Sequence, residues 1–164
     1  MNNYYFVIDS PIGQLHLTSN KNKLTGVFYS LEKRKSSHVN NYDFINDKSL
    51  IIEKTIFQLF EYFEGKRKNF NIPLEYQGTN FQINAWEALK KIPYAKTVSY
   101  SDQATIAGNP KATRAIGNAN NANPISIIIP CHRVIGKSGK LVGYGGGLDK
   151  KDYLLNLEIK YDQI

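Results

Sequence analysis

The spacing of apolar and polar residues changes several times along the first part of the chain. Within residues 4–29, β-favouring residues alternate with turn-forming Asp, Pro, Gly and Asn, which predicts a small antiparallel sheet. Residues 31–48 are mainly polar and charged, so they are predicted to form a loop. From Leu50 to Phe63, apolar residues recur at helical spacing and stop before Gly65, which predicts an amphipathic helix.

A segment typical of a linker then sets the predicted domain boundary. Residues 71–78 contain Pro and Gly and no sustained apolar period, so we predict one domain over residues 1–77 and a second over residues 78–164. The second domain opens with an amphipathic helix over residues 80–91, whose apolar face is predicted to belong to the core.

Two short helices joined by a Gly-Asn turn are predicted next. Ser99 suits the N-cap of the first helix, and Gly108 suits its C-terminal end. Asn109 is a good cap for the second helix, Pro110 fits its first position, and the pattern ends near Asn121. The arrangement is that of a helix-turn-helix.

The second helix of this pair has an unusual composition for one that reads the major groove. Arg114 is its only charged side chain, whereas base-reading helices usually present several long polar groups. Small residues allow a backbone to approach a bound molecule closely, and they equally allow tight packing on a neighbouring helix. The small and short residues of the helix are Ala112, Thr113, Ala115, Gly117, Asn118 and Ala119.

The single cysteine lies beside residue types that activate a thiol. The apolar run 125–129 has the length of a buried strand and is predicted to place Cys131 at its end. Cys131 is followed by His132 and Arg133, and a neighbouring imidazole and positive charge lower the pKa of a thiol, which is nucleophilic when ionised. We therefore expect Cys131 to be the reactive residue, although a free cysteine is also a common inert core residue.

Composition and charge narrow the class of protein. A single cysteine among 164 residues excludes an internal disulfide and a multi-cysteine zinc site, so we expect no metal. No stretch approaches the roughly 18 apolar residues that span a bilayer, and the N-terminus lacks a signal pattern, so we expect a soluble, cytoplasmic protein without a membrane partner. The net charge is +7, and residues 78–164 hold 11 Lys and Arg against 6 Asp and Glu, which favours polyanions.

The order and spacing of six motifs resemble the O6-alkylguanine-DNA alkyltransferases. The resemblance covers most of residues 79–158, and residues 1–75 are compatible with the N-terminal domain of that family. It implies an α+β fold in which a small ribonuclease-H-like sheet with a helix precedes a mostly helical DNA-binding domain with a helix-turn-helix. The motifs are Ile92-Pro93-Tyr94, Val98-Ser99-Tyr100, the run 107–117, Asn123-Pro124, the run 129–134 and Gly143-Tyr144.

The resemblance implies a reaction without a cofactor. Proteins of this family flip O6-alkylguanine out of duplex DNA and transfer the alkyl group, once per molecule, to a cysteine, here Cys131; O4-alkylthymine is expected as a second substrate. His132 would act as a base through a water, and Glu158 would orient it. Helical spacing also places Glu158 on an apolar face with Leu154 and Leu155, where an unpaired carboxylate is costly. The alternative is an ordinary, partly exposed glutamate.

The resemblance also assigns the substrate pocket and the DNA contacts. Tyr100 would hold and protonate the base, Asn123 would brace the active-site turn, and Arg114 would enter the stack from the minor groove of double-stranded DNA, bound by a monomer. Expected DNA contacts are Tyr100, Ser101, Asn109, Thr113, Arg114, Ala115, Gly117 and Lys137. The expected pocket residues are Val134, Ser126, Tyr144 and Gly145. Some members carry a proline at the position of Ser126 and a serine at the position of Gly145. The resemblance therefore does not predict how wide the pocket is.

Two other functions compete with alkyl transfer. The first is a cysteine hydrolase that uses Cys131, His132 and Glu158; neighbouring Cys and His side chains at a strand end tend to point apart, which disfavours it. The second is a helix-turn-helix protein that binds alkylated DNA without repairing it. Such relatives lack the acceptor cysteine, so the presence of Cys131 favours transfer.

Overall fold

The computed structural model describes residues 2–163, which form two compact units. The first unit ends at Gln77 and also contains Pro124–Ser126; the second consists of Gly78–Asn123 and the chain from Ile127 onward. Val27 holds the returning segment in the first unit: its N–H donates to the carbonyl of Pro124 at 3.0 Å, and its carbonyl accepts from the N–H of Ser126 at 3.1 Å.

The first unit is a four-stranded sheet with two helices. The strands lie in the order β3-β2-β1-β4; β1 pairs antiparallel with β2, β2 antiparallel with β3, and β4 parallel with β1. The longer helix spans Leu50–Phe63, as the apolar period predicts, and Ser49 caps it by accepting from the N–H of Ile52. The elements are β1 (Asn3–Ser10), β2 (Gly13–Ser19), β3 (Leu24–Phe28), α1 (Leu31–Lys35), β4 (Phe44–Ile45) and α2 (Leu50–Phe63).

The prediction of a loop over residues 31–48 is wrong in two places, because α1 and β4 form there. Ser30 starts α1 because its hydroxyl accepts from the N–H of Lys33 at 3.1 Å. The strand β4 is only two residues long and is set by pairing with β1, a contact distant in sequence that local polarity does not reveal.

The second unit is mostly helical. A short parallel pair, β5 and β6, accompanies four helices, and Ala85, Ala104, Ile116 and Ala119 form a core cluster. Ser99 caps α4 with a capping box, as predicted. The elements are α3 (Asn80–Lys90), β5 (Val98–Ser99), α4 (Tyr100–Ile106), α5 (Thr113–Asn121), a 3-10 turn (Cys131–Arg133), β6 (Val134–Ile135) and α6 (Leu148–Asp162).

The helix-turn-helix is present, but α5 begins at Thr113, not at Asn109-Pro110 as predicted. Asn109 is already used by the end of α4: Gly108 adopts φ 88°, and the N–H of Asn109 donates to the carbonyl of Ala104 at 2.9 Å. This is the bonding pattern of a Schellman motif, so Asn109 closes one helix instead of capping the next.

The buried strand predicted over residues 125–129 is also wrong. Ile125 makes a single bridge to Val27, turns follow, and Ile127 adopts φ 72°. The apolar run reflects burial of its side chains, which a sequence cannot distinguish from a strand. Cys131 therefore begins a 3-10 turn and does not end a strand.

Candidate active site

Cys131 opens onto a cavity of about 340 Å³ within the second unit. The ring of Tyr100 and the loop 142–145 form two of its walls, and helix α5 forms a third. The residues that α5 contributes are Gly117, Asn118, Asn120 and Asn121. A concave site of this size that contains a nucleophile is typical of a substrate pocket.

Asn123 positions the thiol and the turn before it. Its Nδ2 donates to the carbonyl of Ile129 at 2.8 Å and to the Sγ of Cys131 at 3.2 Å. Burial raises the pKa of the Cys131 thiol, while hydrogen bonds from Asn123 and Tyr144 and the charge of Lys151 lower it. The thiol is thus buried, and the three neighbours favour its ionised form.

His132 lies next to the thiol in sequence but contacts Glu158. Both side chains are 0% exposed, and Nε2 lies 2.7 Å from Oε1 of Glu158. Burial lowers the pKa of His132, so the ring is neutral at physiological pH and its proton lies on Nε2, which donates to the carboxylate. The Nδ1 atom is then an acceptor, and it has no hydrogen-bond partner within residues 2–163.

Arg133 neutralises the carboxylate of Glu158. Its Nε and Nη2 donate to the two carboxylate oxygens at 3.0 and 2.9 Å, and its Nη1 donates to the carbonyl of Ile92 at 2.7 Å. Burial opposes ionisation of Glu158, but the hydrogen bond from His132 and the hydrogen bonds and charge of Arg133 outweigh it and hold the pKa of Glu158 at about 2. The prediction that Glu158 faces inward agrees with this geometry; the part played by Arg133 was missed.

Lys151 is a second site residue that the sequence reasoning missed. It is 0% exposed, and its Nζ donates to the carbonyls of Val142 and Gly143 at 3.2 and 3.1 Å and approaches the hydroxyl of Tyr100 at 3.4 Å. The Tyr100 hydroxyl itself donates to the carbonyl of Val142 at 2.6 Å. The signal was available, because Lys151 precedes Glu158 by two helical turns on the same face of α6.

Six of the eight residues expected to contact DNA lie on α4 and α5. Thr113, Arg114 and Ala115 are exposed at the start of α5, Gly117 lines the cavity, and Ser101 is half-buried on α4. Asn109 and Lys137 are exposed in loops.

Of the expected pocket residues, Tyr144 and Gly145 line the cavity. Val134 does not: it is fully buried in β6, where it pairs with Val98. Ser126 does not line the cavity either; it is buried, and its N–H donates to the carbonyl of Val27.

Neither a metal cluster nor a membrane span is present in the described part of the chain. Within residues 2–163, no group of His, Cys, Asp and Glu side chains could hold a metal ion. No helix in the same range is long and apolar enough to cross a membrane.

Two family models match consecutive parts of the chain. The DNA-binding domain of 6-O-methylguanine DNA methyltransferase matches residues 80–160, and the ribonuclease-like domain of the same family matches residues 3–76. The chain belongs to the 6-O-methylguanine DNA methyltransferase family. Both the predicted family and the predicted fold class are thereby confirmed.

Particular relatives extend this result to nearly the whole chain. A methylated-DNA–protein-cysteine methyltransferase of Methanosarcina acetivorans is 46% identical over 94% of this chain and 97% of its own length. The constitutive enzyme of that name from Bacillus subtilis is 42% identical over 95% of each chain. The crystal structure of Mycobacterium tuberculosis OGT in complex with DNA has a TM-score of 0.86 and 43% identity, and covers 96% of this chain and 94% of that chain.

Proposed function

We propose that this protein repairs DNA by transferring the alkyl group of O6-alkylguanine, and of O4-alkylthymine, to Cys131, once per molecule and without a cofactor. The observation that carries the proposal is the Cys131 thiol, which lies in a cavity and accepts a hydrogen bond from Asn123. The next residue, His132, forms a buried pair with Glu158. The relatives named methylated-DNA–protein-cysteine methyltransferase support the same reaction. The protein acts in the cytoplasm as a methylated-DNA–[protein]-cysteine S-methyltransferase.

The proposed reaction is one displacement at the alkyl carbon. The acceptor nitrogen of His132, Nδ1, takes the proton of the Cys131 thiol through a water. The thiolate then attacks the alkyl carbon in line, so the S–C bond forms as the C–O6 bond breaks. Tyr100 gives a proton to the departing base, and the carboxylate of Glu158 stabilises the imidazolium that remains.

DNA binding is proposed to use the minor groove and α5. The exposed side chain of Arg114 enters the stack in place of the extruded nucleotide, and the small residues of α5 let the backbone come close to the groove. Exposed Lys137 and the excess of positive charge in residues 78–164 suit phosphate contacts. The protein binds as a monomer.

The geometry disfavours the cysteine hydrolase. A hydrolase needs a direct thiol–imidazole contact, whereas Nε2 of His132 is bonded to Glu158 and Nδ1 has no partner in the described range. A protein that only binds alkylated DNA has no need of the thiol that Asn123 positions.

Mixing the protein with excess duplex that contains O6-methylguanine is expected to add one methyl group per chain, on the peptide that contains Cys131. A thioether is not hydrolysed by water at neutral pH, and the chain has no second cysteine to accept the group, so the reaction stops there. Intact-mass and peptide analysis measure both the amount and the position. Cys131→Ala should still bind the duplex and gain nothing; continued turnover, or methyl uptake by this variant, would contradict the proposal.

Arg114→Ala is expected to slow repair of duplex DNA about tenfold or more, with much less effect on the free O6-alkylguanine base. The free base needs no flipping, and flipping costs a few kcal/mol. Transfer rates on both substrates are compared with those of Lys160→Ala, which removes one exposed charge from α6. Equal losses on the two substrates would show that Arg114 serves the pocket or the fold instead.

A further inference from the structure

Two amide side chains join the helices of the helix-turn-helix beside the cavity. Nε2 of Gln103 donates to Oδ1 of Asn120, and Nδ2 of Asn120 donates to Oε1 of Gln103, both at 2.7 Å. Nε2 of Gln103 also donates to the carbonyl of Ala85 at 3.2 Å. Because that carbonyl can only accept, it fixes the orientation of Gln103 and, through the pair, the orientation of Asn120.

The pair does not use the whole hydrogen-bonding capacity of Asn120. A side-chain amide has two N–H donors and two acceptor lone pairs. One donor and one lone pair of Asn120 are bonded to Gln103, and the others have no hydrogen-bond partner in residues 2–163. Gln103 is 0% exposed, whereas Asn120 is half-buried and lines the same cavity as Cys131. In the cavity wall formed by α5, Asn120 is therefore an amide whose orientation is fixed.

We propose that Asn120, held by Gln103, selects the alkyl group, so that groups carrying a hydroxyl are transferred in preference to apolar groups of equal size. The inference rests on the proposed function and names its substrate class: O6-(2-hydroxyalkyl)guanines. The spare donor and lone pair of Asn120 bond the hydroxyl, whereas an apolar group of the same size leaves them unpaired. The hydroxyl takes no part in the displacement, in which the S–C bond forms and the C–O6 bond breaks as before.

The size-matched substrates are free O6-(2-hydroxyethyl)guanine and O6-propylguanine. For each thiol we take the ratio of the hydroxyethyl transfer rate to the propyl transfer rate. We expect this ratio to be about fivefold higher for Cys131 than for a small-molecule thiolate, which is the effect of one uncharged hydrogen bond. The comparison with the free thiolate removes the difference in intrinsic reactivity. It needs no variant, so it decides the proposal even if substitutions impair folding.

The double variant Gln103→Leu/Asn120→Leu tests whether the preference for hydroxyalkyl groups depends on this pair of amides. Replacing both amides leaves neither partner unsatisfied, whereas a single replacement would leave a buried amide without its bond. The ratio should fall to that of the free thiolate. The control is Gln58→Leu, which removes a buried amide of the first unit that bonds the backbone of Asn71 and touches no part of the cavity; its ratio should equal that of the unaltered protein.

The possible outcomes separate this inference from the proposed function. A ratio in the unaltered protein no higher than that of the free thiolate, or a ratio that the double variant keeps, would overturn the inference. Methylation of Cys131 by O6-methylguanine duplex in the same protein would leave the proposed function intact. Absence of transfer from every substrate would refute the proposed function itself.

Discussion

Replacing Arg133 with methionine is expected to lower the free energy of unfolding of the second unit by about 3–5 kcal/mol at neutral pH. Methionine keeps most of the length and apolar stem of the side chain. The main loss is therefore the charged guanidinium, which donates to both carboxylate oxygens of Glu158. Glu158 is 0% exposed, and without Arg133 it would have no charged partner, because the neighbouring His132 is neutral. A buried charge without its partner is strongly destabilising.

Denaturant unfolding followed by the fluorescence of Trp86 measures this loss, because the chain's single tryptophan is buried in the second unit. The control in the same unit is Lys90→Met, which breaks the exposed pair with Glu87 and should cost no more than about 1 kcal/mol. The double variant Arg133→Met/Glu158→Leu should recover part of the stability, because it removes the orphaned charge but leaves the Nε2–H of His132 without its acceptor. Equal effects of Arg133→Met and Lys90→Met would contradict the expectation.

Acid titration gives the same pair a second signature. The pKa of Glu158 is lowered from 4.5 to about 2 in the folded protein, so its stabilising contribution is complete above pH 4.5 and is lost as the pH falls toward 2. The Arg133→Met variant should lose less stability across this range, because the carboxyl of its Glu158 is no longer held in the ionised form by the guanidinium.

Local patterns in the sequence predicted the parts of the fold that local physics decides. The N-cap of α4 follows from a serine before an apolar period, and the inward face of α6 follows from the spacing of Glu158 with Leu154 and Leu155. The order of the motifs around Cys131 identified the family. The cap and the inward face each depend on residues within a few turns of one another, whereas the family is identified by motifs spread over residues 92–144.

The parts that could not be predicted depend on contacts distant in sequence. Arg133 donates to the carboxylate of Glu158, 25 residues away, and Gln103 and Asn120 form hydrogen bonds between two different helices. The apolar run 125–129 shows the same limit, since its hydrophobicity indicates burial but does not specify a strand or a turn. Asn109 was assigned to the wrong helix because one residue suits both a Schellman motif and an N-cap.

Replacing Lys151 with methionine is expected to slow alkyl transfer about a hundredfold at neutral pH and to move the pH-rate profile toward higher pH. Burial raises the pKa of the Cys131 thiol, and the positive charge of Lys151 opposes that effect. Without the charge, the thiolate forms only at higher pH, so the rate should recover partly as the pH rises. The Nζ of Lys151 also approaches the Tyr100 hydroxyl, where it would stabilise the negative charge left after proton donation.

Single-turnover rates on methylated duplex between pH 6 and 9 test this role, with Lys160→Met as the control. That variant loses an exposed lysine of the same helix and should keep the profile of the unaltered protein. Removing a buried ammonium also removes its desolvation penalty, so Lys151→Met is not expected to lower the melting temperature in proportion to its loss of rate. A uniform fall in rate at every pH, accompanied by a matching loss of stability, would show that Lys151 only holds the 142–143 loop in place and does not promote ionisation of the thiol.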